Sequence, residues 1–213
     1  MAIDARTLCV GDVSFVRDAL HAAGAVLPEH APYPDVLKPY LRRETGWVRR
    51  FQHLRRKPVF VKPAEGWKRF TGRVIDHPEQ THEFRISGNQ PLWWSAPVQW
   101  LSEWRVYCAS GEVLDVQRAA YTPGEGPMID MPLVEKALAD FAASEGAPSG
   151  VALDFGVLST GETALVEAND GFAFGAYGSV SGETMWRIWA ARWPELVAGR
   201  RRSDSGPPSP AAK

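Results

Sequence analysis

Long apolar runs, paired cysteines and an excess of charge of one sign are all missing from this 213-residue chain. Without a run of roughly 18 apolar residues, a membrane-spanning helix is not expected. The first residues set Asp4 and Arg6 ahead of a short mixed segment, which is not a signal-peptide profile. Cys9 and Cys108 stand far apart and share no metal-ligand spacing, so they read as ordinary thiols of a reducing compartment, and a cytoplasmic location is the expectation. A formal net charge of −1 gives no bulk attraction to nucleic acid. The five histidines, at 21, 30, 53, 77 and 82, show no metal-ligand pattern, and there is no internal repeat. Tryptophan is plentiful, with nine residues. Of these, Trp186, Trp189 and Trp193 fall at helical spacing and suggest a buried stripe. A chain of this length can bury one substantial core or two small lobes that share a cleft.

Along the chain, a helix is expected over 14–23, closed by Gly24, before Pro28, Pro32 and Pro34 enforce an extended passage. The basic segment 36–56 suggests one or two further helices. Residues 57–63 form a β-branched strand stopped by Pro63, and alternation resumes at 73–75 and 83–86. An extended linker is expected over 91–101. It is followed by a hairpin of 103–108 and 113–118 about Ser110 and Gly111, and by an amphipathic helix over 132–143 with a proline in its first turn. A glycine-punctuated stretch, 171–182, leads to a helix expected to stop at Pro194. This gives an α+β chain divided into an N-terminal segment 1–56, a strand-rich lobe 57–100, a larger lobe 101–198 and a compositionally disordered tail 199–213.

The most informative feature is a second hairpin, 151–158 with 163–169 around the Ser159–Thr160–Gly161–Glu162 turn. Closing that turn as a two- or four-residue loop sets Asp154 directly opposite Glu167. Opposed side chains lie roughly 4.5–5.5 Å apart at Cβ, where two carboxylates repel unless a cation or a proton intervenes. Asn169, two residues on, shares their face. Two carboxylates and an amide oxygen form a hard-oxygen set suited to Mg²⁺; a solvated face with incidental acids is the plainer alternative. Lys62 ends a strand and Lys68 follows across a short connection, so two ammonium groups beside a magnesium site suggest a polyphosphate ligand. Arg105 sits mid-strand, where its guanidinium either grips a phosphate or carboxylate bidentately or forms a structural pair with Glu103. Arg118 on the returning strand is a lesser candidate of the same kind. The basic residues Arg42, Arg43, Arg49, Arg50, Arg55, Arg56 and Lys57 offer a different function, a surface for nucleic acid or an acidic partner, or else a solvated helix face.

The order of these elements resembles the ATP-grasp superfamily: Val-Phe-Val-Lys62-Pro, Lys68-Arg-Phe-Thr-Gly72, Glu103-Trp-Arg105-Val-Tyr, Leu-Asp154-Phe-Gly-Val, then Val-Glu167-Ala-Asn169-Asp-Gly. Within it, the chain is similar to short, divergent bacterial and phage members related to eukaryotic assembly proteins for a translation initiation factor. The likeness runs from about Val10 to Leu196. It implies an ATP-grasp fold, two lobes whose antiparallel sheets enclose a nucleotide cleft. Lys62 and Lys68 would bind the phosphates of ATP, and Asp154, Glu167 and Asn169 would hold Mg²⁺. The linker Val98, Gln99, Trp100 and Leu101 would pass the adenine edge, while Arg105 and Arg118 would face the transferring phosphate or the acyl substrate.

The chemistry implied by the resemblance is ATP-dependent carboxylate–amine ligation through an acylphosphate. Many such ligases carry a separate N-terminal α/β domain, and with residues 1–56 in its place substrate recognition is expected to be reduced, supplied by the basic segment or shared with a partner. A carboxylate on a peptide or protein is a reasonable acyl donor. Two other functions stay open: an ATP-binding assembly factor without ligase turnover, and binding of nucleic acid or an acidic partner through the basic segment.

Overall fold

The computed structural model describes residues 3, 4, 6–54, 58–64, 70–77, 79–83, 85–119 and 126–198. Lys68, the 55–57 end of the basic segment and the tail from 199 onward lie outside them. Two antiparallel four-stranded sheets organise the chain, one in the order β1-β4-β2-β3 and the other in the order β6-β5-β7-β8.

Helix α1 (Val13–Ala22) begins where Asp12 accepts a hydrogen bond from the Phe15 amide, and it ends before Gly24, whose φ of 74° favours glycine. Its buried stripe of Val16, Ala19 and Leu20 meets Trp193, Leu196 and Val197 of α4 (Gly182–Ala198). Pro194 does not stop α4. Burial of Leu196 and Val197 beyond the proline holds the last turn in place despite the lost amide donor. Of the three helix-spaced tryptophans only Trp193 is buried, and Trp186 faces solvent.

The basic segment expected to be helical breaks up. A short 3₁₀ turn, Asp35–Tyr40, contains Pro39, and strand β1 (Thr45–Val48) follows. β1 pairs with β4 (Leu92–Ser95), so the small sheet begins ahead of residue 57 and takes in the first half of the expected linker. Gly46 makes that pairing possible, because a Cβ there would stand 2.8 Å from the Trp94 indole nitrogen. β2 (Val59–Pro63) pairs with both β4 and β3 (Arg73–Ile75). Among the described residues of 83–86 there is no strand: a one-turn helix α2 (Gln80–Glu83) ends there, and Arg85 lies in the left-handed region.

In the large sheet, β5 (Trp100–Ala109) turns through Ser110 and Gly111, both at positive φ, into β6 (Glu112–Arg118). Helix α3 (Met131–Ala142), with Asp130 as its cap and Pro132 in its first turn, packs with the 3₁₀ turn on the face bearing Val106, Leu153 and Phe155. β7 (Gly150–Leu158) and β8 (Thr163–Asp170) complete the sheet. On its other face Met185 and Ile188 of α4 cover Tyr107 and Ala109. Phe174, Gly175 and Tyr177 cover Arg105 on that face, and Glu103 and Glu167 look into the cleft below the small sheet. Among the described residues, no helix is long and apolar enough to cross a membrane.

Candidate functional site

Arg105 on β5 pairs directly with Asp154 on β7, and Asp154 pairs directly with Glu167 on β8. Side chains paired this way share a face, so three charges stand in one line across three neighbouring strands. A fourth arrives from the other sheet, as Lys62 of β2 makes an ion pair with Glu167. Two anions between two cations resolve the repulsion that opposed carboxylates would otherwise suffer.

The geometry within the row is tight. Arg105 donates through Nε to Asp154 Oδ1 at 2.7 Å and through Nη2 to Oδ2 at 2.6 Å, a bidentate pair sealed from solvent. It is Asp154, not Glu103, that accompanies the arginine. Nη1 of Arg105 donates to the Gly175 carbonyl at 2.9 Å, and the Tyr177 ring lies 3.9 Å from the guanidinium carbon. The Tyr177 amide is held in turn by the Tyr107 hydroxyl at 2.7 Å. Asn169 donates its amide to Asp154 Oδ2 at 3.1 Å, in keeping with its expected place beside the carboxylates.

Burial pushes the Asp154 carboxyl up, with Arg105 pulling against it. For Glu167 burial also works upward, but the Lys62 ammonium outweighs it and the net shift is down. Burial opposes the charge on Arg105 as well, yet the Asp154 carboxylate holds its pKa above the ordinary value. His30, from the proline-rich passage, stands near Lys62, Glu167 and Asp170, and burial together with the Lys62 charge brings its imidazole down to about 4.

Near the turn the hairpin runs one residue out of the expected step, pairing Val157 with Thr163 and Phe155 with Leu165. A bulge at Val166 then restores the pairing of Asp154 with Glu167. Val166 and Glu167 both line a cavity of about 590 Å³ between the sheets, together with Phe60, Lys62, Val98 and Trp100. Gln99 and Leu101 are not on its wall: the Gln99 carbonyl accepts from the Ser159 amide at 2.9 Å, and Leu101 is exposed. Arg118 is not in the row either. It pairs with Trp104 on the opposite face, and Gln117 stands opposite Arg105. Tyr107, on the same face as Arg105, is fully buried.

The basic cluster is divided. Arg42 is exposed, whereas Arg43 turns inward to donate to the carbonyls of Leu41, Leu165 and Val166 and lies 5.3 Å from the Trp100 ring. A solvated surface therefore loses one of its members to the cleft. Sequence reasoning passed over Gln117 and Tyr177, set His30 aside for want of a metal-ligand pattern, and placed Arg43 only in the basic cluster. For Arg43 the signal was Leu41 two residues before it, an apolar anchor in a basic run; nothing in the sequence marked His30.

A family model described as an ATP-grasp domain, the second family of its clade, matches residues 40–185. No curated relative matches the chain by sequence. Among solved structures, N5-carboxyaminoimidazole synthetase from Staphylococcus aureus complexed with ADP has a TM-score of 0.50 at 13% identity, over 86% of this chain and 50% of that one. The ATP-grasp ligase PsnB complexed with minimal precursor, Mg and ADP scores 0.45 at 17% identity, over 89% of this chain and 58% of that one. Macrocyclase MdnC bound with precursor peptide MdnA, from Microcystis aeruginosa MRC, scores 0.45 at 14% identity, over 76% and 57%. At such identities the likeness is one of fold, and the chain spans 50–58% of the length of these three.

Proposed function

The chain belongs to this family of ATP-grasp domains, and we propose that it binds Mg-ATP between its two sheets and uses it to join a carboxylate to an amine. The observation that carries this reading is the charge row Arg105, Asp154 and Glu167, whose outer end, Glu167 with Lys62 reaching across from β2, lines the cleft.

Among the described residues no group of three His, Cys, Asp or Glu side chains is placed to hold a metal ion. The donor chemistry nonetheless fits magnesium, which is commonly held by one or two carboxylates with phosphate oxygens filling the remaining positions. Glu167 on the cleft wall, the Asn169 amide oxygen and Asp154 would hold it, Asp154 only as its oxygens are released from Arg105. Bound there, the ion would neutralise phosphate charge as it develops. Lys62, already on the cleft wall, would serve the phosphates, and Lys68 is assigned the same role from its position in the sequence. Val98 and Trp100 would flank the base.

In this reaction a carboxylate oxygen attacks the γ-phosphorus of ATP and ADP leaves. The amine nitrogen then attacks the acyl carbon, the bond to phosphate breaks, and phosphate departs with the amine proton. Arg105 is the cation built into the row: it would hold Asp154 ionised and in place, and would stabilise charge on the transferring group once that pair opens to the ligand. A peptide or protein carboxylate is the acyl donor in this reading.

Calorimetric titration of ATP, with and without magnesium, into the native protein and into Asp154→Asn and Glu167→Gln tests the proposal. Magnesium-dependent binding that both substitutions weaken is expected, followed by ADP release when carboxylates and amines are supplied. Absence of binding in every combination would overturn the reading. Turnover stimulated by free amino acids and never by peptides would remove its peptide part.

A further inference from the structure

In a regular strand successive carbonyls point to opposite edges, so one side chain cannot ordinarily reach two in a row. Arg43 does so. Its Nη1 donates to the Leu165 carbonyl at 2.6 Å and its Nη2 to the Val166 carbonyl at 2.7 Å, while Nη1 also reaches Leu41 O at 3.0 Å. Those two carbonyls converge because Val166 is the extra residue of the β8 bulge, between the pairs Phe155–Leu165 and Asp154–Glu167.

The bulge decides which way Glu167 faces. Continuing the pairing near the turn without it would set Val166 opposite Asp154 and Glu167 opposite Leu153, a fully buried residue of the apolar core. The carboxylate would then leave the cleft for the face covered by α3. The observed burial records the change of step: Leu165 and Ala168, three apart, both belong to that core, while Val166 and Glu167 both line the cleft.

We propose that Arg43 is a positioning residue for the nucleotide site, fixing the β8 bulge and thereby the pairing that sets Glu167 beside Asp154 and within reach of Lys62. The proposal rests on the Mg-ATP reading for its functional consequence, though not for its structural one. Arg43 is built for the task. It follows Arg42, whose φ of 51° bends the chain inward, and it is steadied between Tyr33 and Trp100 at 5.8 and 5.3 Å from their rings. It touches backbone, so it acts through Glu167. A lysine there could satisfy only one carbonyl direction at a time.

The test uses the full chain with Arg43→Ala, Arg43→Lys, Glu167→Gln and the Arg43→Ala/Glu167→Gln double substitution. Magnetic resonance contacts across the hairpin read the register directly: Asp154 faces Glu167 in the native chain, and Arg43→Ala is expected to lose that pairing or to mix it with Val166. Magnesium-dependent ATP affinity is expected to fall by about 10–100-fold in Arg43→Ala, as for other residues that orient a ligand. Arg43→Lys should fall less, and the double substitution no further than Glu167→Gln alone. A merely structural loss would instead add to that of Glu167→Gln. Retained Asp154–Glu167 pairing in Arg43→Ala overturns the proposal, as does an additive double substitution. If Arg43→Ala does not fold, the same contacts in Arg43→Lys decide. Should native protein bind no Mg-ATP, the functional reading fails, and the register measurement still tests Arg43.

Discussion

A guanidinium that satisfies both oxygens of a buried carboxylate leaves that carboxylate stranded when it is removed. Arg105 and Asp154 are 4% and 5% exposed, so water cannot take the arginine's place. Arg105→Ala is therefore expected to lower the unfolding free energy by about 3–5 kcal/mol, whereas replacing both partners with apolar residues of similar volume should recover most of the loss. Denaturant titration of the single and double substitutions checks this, and a loss below about 1 kcal/mol for Arg105→Ala would show that the Asn169 amide suffices for Asp154. His30 gives a second effect at this scale. Its folded pKa, brought from 6.5 down to about 4, means that the native state favours the neutral ring. The associated stability is fully present above pH 6.5 and is lost as the pH falls toward about 4. Subtracting the stability profile of His30→Gln from that of the native chain should reveal a slope confined to that window; parallel profiles would contradict the burial of the ring.

Elements are placed by contacts that a residue type permits only when it is small enough. Gly150 opens β7 against α4, and a Cβ there would collide with the Ile188 carbonyl and stand 2.9 Å from Cβ of Arg192. Gly150→Ala should thus push α4 off the sheet and cost about 1–3 kcal/mol, read as a lowered denaturation midpoint with an unchanged slope. An unchanged midpoint would mean that α4 yields freely. Such pressure between elements also explains what the sequence could disclose. The β5–β6 hairpin, α1 and α3 were legible, because local turn chemistry, caps and alternation all agreed with the final packing; the facing of Asp154 and Glu167 was expected too, though from a turn register the hairpin does not have. β1 was not, since its four residues sit in a basic run and form a strand only through Trp94 and the sheet beyond it. The bulge was hidden for a related reason. The pairing of Asp154 with Glu167 was expected from a turn that in fact starts one step out, and Arg43, far away in sequence, holds the correction. Arg118 shows the converse: a charge on the right strand but, by register, on the wrong face.

At the scale of the molecule, the ion pair of Lys62 with Glu167 bridges the two sheets directly. Its side chains are only 12% and 27% exposed, so screening by solvent is limited and the pair should couple the lobes energetically. A double-mutant cycle with Lys62→Met and Glu167→Gln measures that coupling. In nucleotide-free protein an interaction energy of about 1–3 kcal/mol is expected, because each single substitution leaves the other group without its partner. In saturating Mg-ATP the same cycle, read from thermal unfolding, should give a smaller value, since the reading proposed for the cleft turns Lys62 toward phosphate and Glu167 toward the metal. The sign of that change separates two roles for the bridge. A coupling that shrinks marks the ion pair as the resting arrangement of groups that the ligand recruits. A coupling that persists undiminished would make it a permanent strut, and Lys62 would then have to be withdrawn from the phosphate site.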